Sequence, residues 1–176
     1  PITKKIHVIW VDKSGSNIWN YNDTDMVQHG VMNLHKMNLD WEFEQYNLTE
    51  IEDYLKKHLA KSDWEMMQPS PLIPKTDLFR LLKMYHEGGL YQDVDRLYNI
   101  PLSKLLKNDT KLLLPMLYDV TFTLDFLCSS RGNKLYERAI SLYLCKLREE
   151  HGEGLTQWDR LNPSQLHSVA QEAAAT

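Results

Sequence analysis

The stretch KTDLFRLLKMYHEGGLYQDVD, residues 75–95, carries the pattern that decides the fold. Apolar residues recur in its first half at the spacing of one helix face: Leu78, Leu81, Leu82 and Tyr85. Thr76 is a good N-cap, so a helix is predicted over 77–87, with Gly88 and Gly89 ending it. A short buried strand is predicted over 90–94, and two aspartates stand where that strand ends.

Predicted strands alternate with predicted helices on the N-terminal side of this stretch. Residues 6–11 are β-branched and aromatic, and residues 41–46 alternate aromatic and polar side chains, so both segments predict strands. A loop over 13–25 and a helix over 26–38 are predicted to connect them. A capping box at Thr49 and Glu52 predicts a helix to about residue 60, whereas 64–67 indicates only a short turn.

The C-terminal part continues the alternation with an apolar segment over 111–117, a strand over 121–128 and a helix over 135–149. The class is therefore α/β with a largely parallel or mixed sheet, and residues 1–176 are expected to form a single domain. Ligands bind beyond the carboxyl ends of strands in such sheets, which is where Asp93 and Asp95 stand.

Composition excludes several classes of function. The net charge of −4 gives no basic surface for nucleic acid, and no apolar run approaches the length of a membrane span. The N-terminal PITKKIHVIW does not match a signal peptide, because its apolar part is too short. The two cysteines, Cys128 and Cys145, are expected to be reduced and mostly buried, so a reducing, cytoplasmic location is predicted.

The two aspartates indicate a metal site. In an extended backbone Asp93 and Asp95 would point to the same side while Val94 faces the core. Adjacent carboxylates repel each other, and a Mg²⁺ or Mn²⁺ ion that also binds the oxygens of a nucleotide diphosphate would remove that repulsion. The alternative is a pair of solvated turn residues.

Asp77 and Arg80 share one face of the predicted helix, within its first turn. They are either an ordinary surface ion pair or, beside a metal-binding motif, a source of bidentate donors for phosphate or sugar oxygens. His7 lies inside the first predicted strand, and we expect it to be a core histidine with its hydrogen bonds satisfied.

Residues 75–95 resemble the signature of DXD-containing sugar-nucleotide glycosyltransferases of the family 32 type. These include the yeast Och-type mannosyltransferases and the catalytic domains of clostridial glucosylating toxins. The shared pattern, [ST]-D-x-x-R followed by a helix and G-G-x-Y-x-D-x-D, is matched here at every marked position. The segment IHVIW resembles the first strand of that family. The short chain is also similar to a viral member, such as a chlorovirus glycosyltransferase, which would act in the host cytoplasm.

This resemblance implies a Rossmann-like GT-A fold and a metal-dependent, hexose-transferring enzyme that retains anomeric configuration. The donor would be a nucleotide-diphosphate sugar, with UDP favoured, and the acceptor a hydroxyl on a glycan or glycoprotein. The cofactor would be Mn²⁺ or Mg²⁺. Trp10 would stack on the base, with Ile9 beside it at the nucleotide, and Tyr91 would contact the nucleotide or sugar.

The resemblance assigns the remaining donor contacts to four residues. Asp77 and Arg80 would hold the hydroxyls of the donor sugar. Asp93 would touch the ribose and the metal, and Asp95 would bind the metal directly. Further candidates are Asp125 as an acceptor-side base, Tyr118, Asp119 and Arg131 in an acceptor groove, and His151 and Trp158 as a further metal or phosphate contact.

Two other functions use the same residues. A non-catalytic sugar- or nucleotide-binding module would hold a divalent cation without turnover. A phosphohydrolase or nuclease would use paired aspartates and Mg²⁺, but such two-metal sites need more carboxylates than this stretch supplies.

Overall fold

The computed structural model describes residues 1–21, 24–97, 99–117 and 121–149, together with residues 168, 169 and 171. A five-stranded mixed sheet lies at its centre, in the strand order β2-β1-β3-β7-β4. These strands are β1 Lys5–Ile9, β2 Glu42–Tyr46, β3 Gly89–Gln92, β4 Leu112–Leu113 and β7 Phe126–Ser129. β1 runs parallel to β2 and β3, whereas β7 is antiparallel to β3 and β4. The predicted α/β class with a mixed sheet is confirmed.

A second, two-stranded sheet pairs β5 Met116–Leu117 with β6 Thr121–Phe122. The helices are α1 Thr24–Met26, α2 Asn33–Met37, α3 Leu48–His58, α4 Lys61–Met67, α5 Leu72–His86, α6 Leu102–Leu105 and α7 Lys134–Glu149. A π-helix, Val27–Met32, joins α1 to α2, and a 3₁₀ turn spans Ile18–Asn20. Within the described part of the chain, no helix has the length and apolar character to cross a membrane.

Both faces of the sheet are covered. Side chains of α3, α5 and α7 pack on one face, which we call the α5 face, in a core that includes Ile51, Leu78 and Tyr143. The π-helix, α2 and α6 cover the opposite face. Successive strand residues alternate between the two cores, as the pleat requires, so Tyr91 lies on the α5 face and Leu90 on the other.

The N-cap of helix α3 lies two residues before the predicted one. Asn47 is the N-cap, and it forms a reciprocal capping box with Glu50 rather than the predicted one between Thr49 and Glu52. Glu52 instead forms an ion pair with Lys75 at 2.7 Å. Both pairs have the same sequence spacing, so only the fold selected between them.

Residues 64–67, predicted to form a turn, belong to helix α4. Its buried Asp63 accepts two hydrogen bonds from Arg148 of α7, each at 2.8 Å. Bidentate contacts of this kind are among the stronger hydrogen bonds, so this contact between distant segments supports a helix that the local sequence did not predict.

The start of α5 is also different from the prediction. Pro71 is the N-cap and Pro74 lies in the first turn, where a missing backbone N–H costs nothing. Thr76 is inside the helix, and its hydroxyl donates to the carbonyl oxygen of Ile73. Asp77 and Arg80 therefore lie beyond the first turn of α5, and the prediction that places them within it is wrong.

The glycine pair ends α5 as predicted. Gly88 has a φ of 68° and Gly89 a φ of 100°, which are left-handed values that favour glycine. A Cβ atom on Gly89 would lie 2.4 Å from the carbonyl oxygen of Lys5 in β1. The pair thus lets β3 return directly alongside β1. The strand ends at Gln92, two residues before its predicted end.

Both cysteines are free thiols. Cys128 is buried as expected, and burial raises the pKa of its thiol to about 12. Cys145 is exposed on α7, contrary to the expectation of burial.

Candidate active site

Helix α5 and strand β3 bring four of the predicted residues together: Asp77, Arg80, Tyr91 and Asp93. We call them the donor cluster. The buried guanidinium of Arg80 lies between two carboxylates, with Nη2 3.3 Å from Asp77 Oδ1 and Nη1 3.4 Å from Asp93 Oδ1. Arg80 also donates from Nη1 to the carbonyl oxygen of Leu124 at 2.8 Å. These contacts fix the guanidinium on the α5 face, at the carboxyl end of β3.

Tyr91 of β3 is the fourth member of the donor cluster. Its ring centre lies 4.8 Å from the guanidinium carbon of Arg80, and its hydroxyl donates to Asp93 Oδ1. Burial raises the pKa of Tyr91 well above its usual value, so the phenol stays protonated and remains a donor. Burial alone would lower the pKa of Arg80, but electrostatic interactions with the Tyr91 oxygen and with the Asp93 and Asp77 carboxylates hold it above its usual value.

The backbone leaves the extended conformation at Asp93, contrary to the prediction. The backbone N–H of Arg96 donates to the Asp93 carbonyl oxygen at 3.3 Å and closes a turn. The N–H of Asp93 donates to the carbonyl oxygen of Asp125 at 2.8 Å. The simple same-side geometry of an extended Asp-Val-Asp is therefore wrong, although Val94 does pack partly into the core as expected.

Gly30 of the π-helix sets the position of this turn. A Cβ atom at Gly30 would lie 2.9 Å from the Val94 carbonyl oxygen and 2.8 Å from that of Arg96. The Arg96 carbonyl also accepts a hydrogen bond from Gln92 Nε2 at 3.2 Å. The turn is thus held by direct backbone contact with the π-helix and by its own strand.

The two carboxylates of the motif suit a hard divalent cation. The contacts of Asp93 with other described side chains end on Oδ1, and about a third of its side chain (32%) is exposed. Asp95 is exposed, and no described residue forms an ion pair or hydrogen bond with its carboxylate. Two accessible oxygen donors, with water and phosphate oxygens completing the shell, describe a Mg²⁺ or Mn²⁺ site.

Asp125 lies at the site but is already engaged. Its carboxylate forms an ion pair with Arg96 and accepts a hydrogen bond from the hydroxyl of Thr123. Its predicted role as an acceptor-side base stays a prediction, whereas the structure makes it the partner of Arg96. Sequence reasoning missed Arg96, whose side chain is half exposed (50%), although its position directly after the motif was a usable signal.

Trp10 and Ile9 end β1 near the same edge of the sheet. Trp10 is buried, its Nε1 donates to the carbonyl oxygen of Ser16 at 3.0 Å, and the Tyr21 ring packs edge-on against it at 4.6 Å. Ile9 is half-buried and packs against the core of the α5 face. Stacking of Trp10 on a base stays a prediction.

Of the remaining candidates the structure describes only Arg131, which lies away from the site. The backbone nitrogen of Arg131 lies beside Gly88, at the end of β3 opposite to Asp93. Tyr118, Asp119, His151 and Trp158 lie outside the described residues.

A separate charged cluster, which we call the anchor cluster, consists of Lys5, His7, Glu44, Lys83 and Glu87. His7 Nδ1 lies 2.9 Å from the Tyr46 hydroxyl and Nε2 lies 3.0 Å from the Gly88 carbonyl oxygen, so the expected core histidine is confirmed. His7, Glu44 and Glu87 place three ligand atoms within 4.8 Å of one another, but the two lysines already neutralise this group.

No comparable group of three ligands includes Asp93 or Asp95 among the described residues.

Comparison with known families identifies this arrangement. Residues 24–112 match the family described as "Glycosyltransferase sugar-binding region containing DXD motif". The chain belongs to this family. The matched span includes the whole donor cluster and Asp95, so these residues lie within the sugar-binding region of a glycosyltransferase with a DXD motif.

Solved structures support the fold. The chain is similar to the structure titled "PaToxG Glycosyltransferase", with a TM-score of 0.67 and 16% sequence identity over 98% of this chain and 70% of that one. At this identity the similarity bears on the fold alone, and it confirms the predicted GT-A architecture. No sequence among the curated proteins matches this chain.

Proposed function

We propose that this glycosyltransferase moves a sugar, in a metal-dependent reaction, from a nucleotide-diphosphate sugar to a hydroxyl group of a glycan or glycoprotein. UDP is the favoured nucleotide, and transfer of a hexose with retention of configuration is favoured by the resemblance of residues 75–95 to family 32. The observation that carries the proposal is the convergence of Arg80, Tyr91 and Asp93 beside the free carboxylate of Asp95. The two free thiols favour a cytoplasmic location, where thiols stay reduced.

The donor cluster would orient the sugar. Asp77 is completely buried, so in this arrangement its carboxylate holds Arg80, and it can reach a sugar only if the cluster rearranges. Asp93 is the most accessible member, and it would accept hydrogen bonds from donor hydroxyls. Arg80 would donate to sugar oxygens from N–H groups that its protein partners leave available, since a guanidinium carries five such donors.

Asp93 and Asp95 would hold the cation through carboxylate oxygens. The bound metal would supply a Lewis acid that offsets the charge of the departing nucleotide diphosphate. Arg96 follows Asp95 directly, and Asp125 holds its half-exposed guanidinium in place. We assign Arg96 to the diphosphate, because a fixed guanidinium suits bidentate contact with phosphate oxygens.

Thermal unfolding with a panel of UDP- and GDP-sugars, in Mn²⁺, Mg²⁺ or EDTA, tests the donor site. A nucleotide sugar at 100 times its dissociation constant should add about 2.7 kcal/mol to the free energy of unfolding, and EDTA should remove this gain. Asp95→Asn should abolish the metal-dependent gain. Its stability without ligand should stay within about 0.5 kcal/mol of the wild type, because the side chain is exposed.

Asp53→Asn is the matched control, since Asp53 is an exposed aspartate on α3, away from the site. A full metal-dependent gain in Asp95→Asn, or no gain with any nucleotide sugar, would contradict the proposal. Release of free nucleotide from the stabilising donor then separates an enzyme from a binding module, because a binding module releases none.

A further inference from the structure

A cavity of about 800 Å³ opens beside the DXD turn and shares Asp95 with the candidate metal site. We call it the Asp95 cavity. The described residues that line it are Asp25, Met26, His29, Asn33, Asp95, Leu97 and Asn99. Its volume falls within the roughly 300–1,000 Å³ of typical small-molecule sites.

The cavity lies on the other side of the motif from the donor cluster. Arg80 and Asp77 come from α5, and Tyr91 packs in the core of the α5 face. The cavity wall comes from α1, the π-helix and α2, whose Val27 and Val31 pack on the opposite face of the sheet. Asp95 therefore stands between the residues assigned to the donor sugar and the cavity.

We propose that the Asp95 cavity binds the acceptor, and that this acceptor is a neutral, hydroxyl-rich sugar. The proposal rests on the proposed function, because it assigns the second substrate of the same reaction. A sugar held here would lie next to the metal that binds the donor diphosphate, as transfer between two bound substrates requires.

The chemistry of the lining selects this class of ligand. The amides of Asn33 and Asn99 and the carboxylate of Asp25 supply donors and acceptors for hydroxyl groups. Met26 and Leu97 supply apolar surface for the C–H face of a sugar ring. The described lining contains no lysine or arginine to pair with a phosphate.

His29 offers a hydrogen-bond acceptor at the cavity. Its Nδ1 lies 3.2 Å from the backbone carbonyl oxygen of Asp25, an acceptor only, so Nδ1 carries the proton that makes this bond. In the neutral ring Nε2 is then an acceptor, and the side chain is 70% exposed. A sugar hydroxyl can donate to this nitrogen.

Two walls of the cavity, the π-helix and the turn that bears Asp95, are in direct contact. Gly30, next to His29 in sequence, touches the Val94 and Arg96 carbonyl oxygens so closely that no side chain fits between them. The π-helix that bears His29 and the turn that bears Asp95 therefore pack directly against each other. A preformed site of this kind avoids part of the ordering cost of binding.

Backbone amide NMR of the ¹⁵N-labelled 20.7 kDa chain tests the proposal. Methyl α-D-mannopyranoside and methyl β-D-glucopyranoside are titrated to roughly ten times a millimolar dissociation constant, with and without Mg²⁺ and UDP. The amides of Met26, His29, Leu97 and Asn99 should shift. His29→Ala and Asn33→Ala should each weaken glycoside binding about fivefold, the effect of one lost hydrogen bond. Gln28→Ala, exposed on the same helix but outside the lining, should not.

A separate titration with Mg²⁺ and UDP reports on the donor site through the amides of Tyr91, Asp93 and Arg96. Failure of that titration would overturn the proposed function, while the glycoside titration would still decide the cavity. No glycoside-induced shift at the cavity overturns this proposal. Displacement of the glycoside from the cavity by UDP would also overturn it. Stronger amide shifts with methylguanidine than with the glycosides would overturn it as well, because they would indicate a cationic acceptor.

Discussion

Helix α5 contributes to two charged clusters that differ in their balance of charge. Asp77 and Arg80 belong to the donor cluster at the carboxyl end of β3, whereas Lys83 and Glu87 belong to the anchor cluster near its amino end. Both clusters are largely buried. In each, a cation that pairs with carboxylates also packs on a tyrosine ring, Arg80 on Tyr91 and Lys83 on Tyr46.

In the anchor cluster each carboxylate is paired with a lysine. Lys83 lies 2.5 Å from Glu87 and within 4.6 Å of the Tyr46 and Tyr54 ring centres, and Lys5 lies 2.7 Å from Glu44. In the donor cluster one cation, Arg80, contacts two carboxylates, those of Asp77 and Asp93. The exposed carboxylate of Asp95 follows two residues after Asp93, and no described residue pairs with it. The presence of buried charged side chains therefore does not distinguish a functional site here, whereas an excess of carboxylates over cations does.

The largest expected effect is a loss of sugar-transfer activity on substitution in the donor cluster. Arg80→Lys keeps the charge but loses the planar guanidinium that reaches Asp77, Asp93 and the Leu124 carbonyl at once. We expect kcat/KM for sugar transfer to fall about 100-fold, the usual cost of removing one oriented donor from an active site. Steady-state assays on the donor identified by thermal unfolding measure this change.

Arg138→Lys is the control for that substitution, since Arg138 is exposed on α7. It should leave kcat/KM unchanged. Activity of Arg80→Lys within a few-fold of the wild type would show that the donor cluster is as structural as the anchor cluster.

The next effect is on stability. Lys83→Met removes the cation that Glu87 and the two tyrosine rings contact, and leaves Glu87 with Lys5 at 3.3 Å. We expect the free energy of unfolding to fall by about 2 kcal/mol, below the full cost of breaking a buried pair because Glu87 is partly exposed. Urea unfolding measures the loss. Activity per folded molecule should stay at the wild-type level. A large drop would show that the anchor cluster also contributes to activity.

The smallest effect is on the pH dependence of stability. Hydrogen bonding to His7, and to Lys5 and Tyr46, holds the pKa of Glu44 below its usual 4.5 although burial opposes this. The unfolded chain therefore takes up this proton first, and the stabilisation is lost as the pH falls below about 4.5. At pH 4 the contribution of Glu44 should have dropped by about 1 kcal/mol.

Urea unfolding between pH 7 and pH 4 should accordingly show a shallower decline for Glu44→Gln than for the wild type. Glu50 of α3 is a control, since Glu50→Gln changes a carboxylate outside the anchor cluster. Parallel declines for the wild type and Glu44→Gln would contradict the assigned role of the anchor cluster.

The sequence predicted the elements whose signals are local. The apolar periodicity of α7, the alternation in β2 and the glycine pair after α5 are each complete within a few residues, and all three are confirmed. The starts of α3 and α5 and the existence of α4 were predicted wrongly. In those places two local signals competed, or a distant partner such as Arg148 stabilised the element.

The sequence by itself determined the chemistry of this protein, because residue types at fixed spacing in 75–95 specify a glycosyltransferase motif whatever surrounds them. Only the tertiary structure decided how that chemistry is presented. Gly30 against the DXD turn, Asp125 against Arg96, and Lys5 against Glu87 are contacts between segments far apart in the chain. Such contacts depend on chain folding rather than on local spacing, and they determine which carboxylates stay free for a metal and where a second substrate can bind.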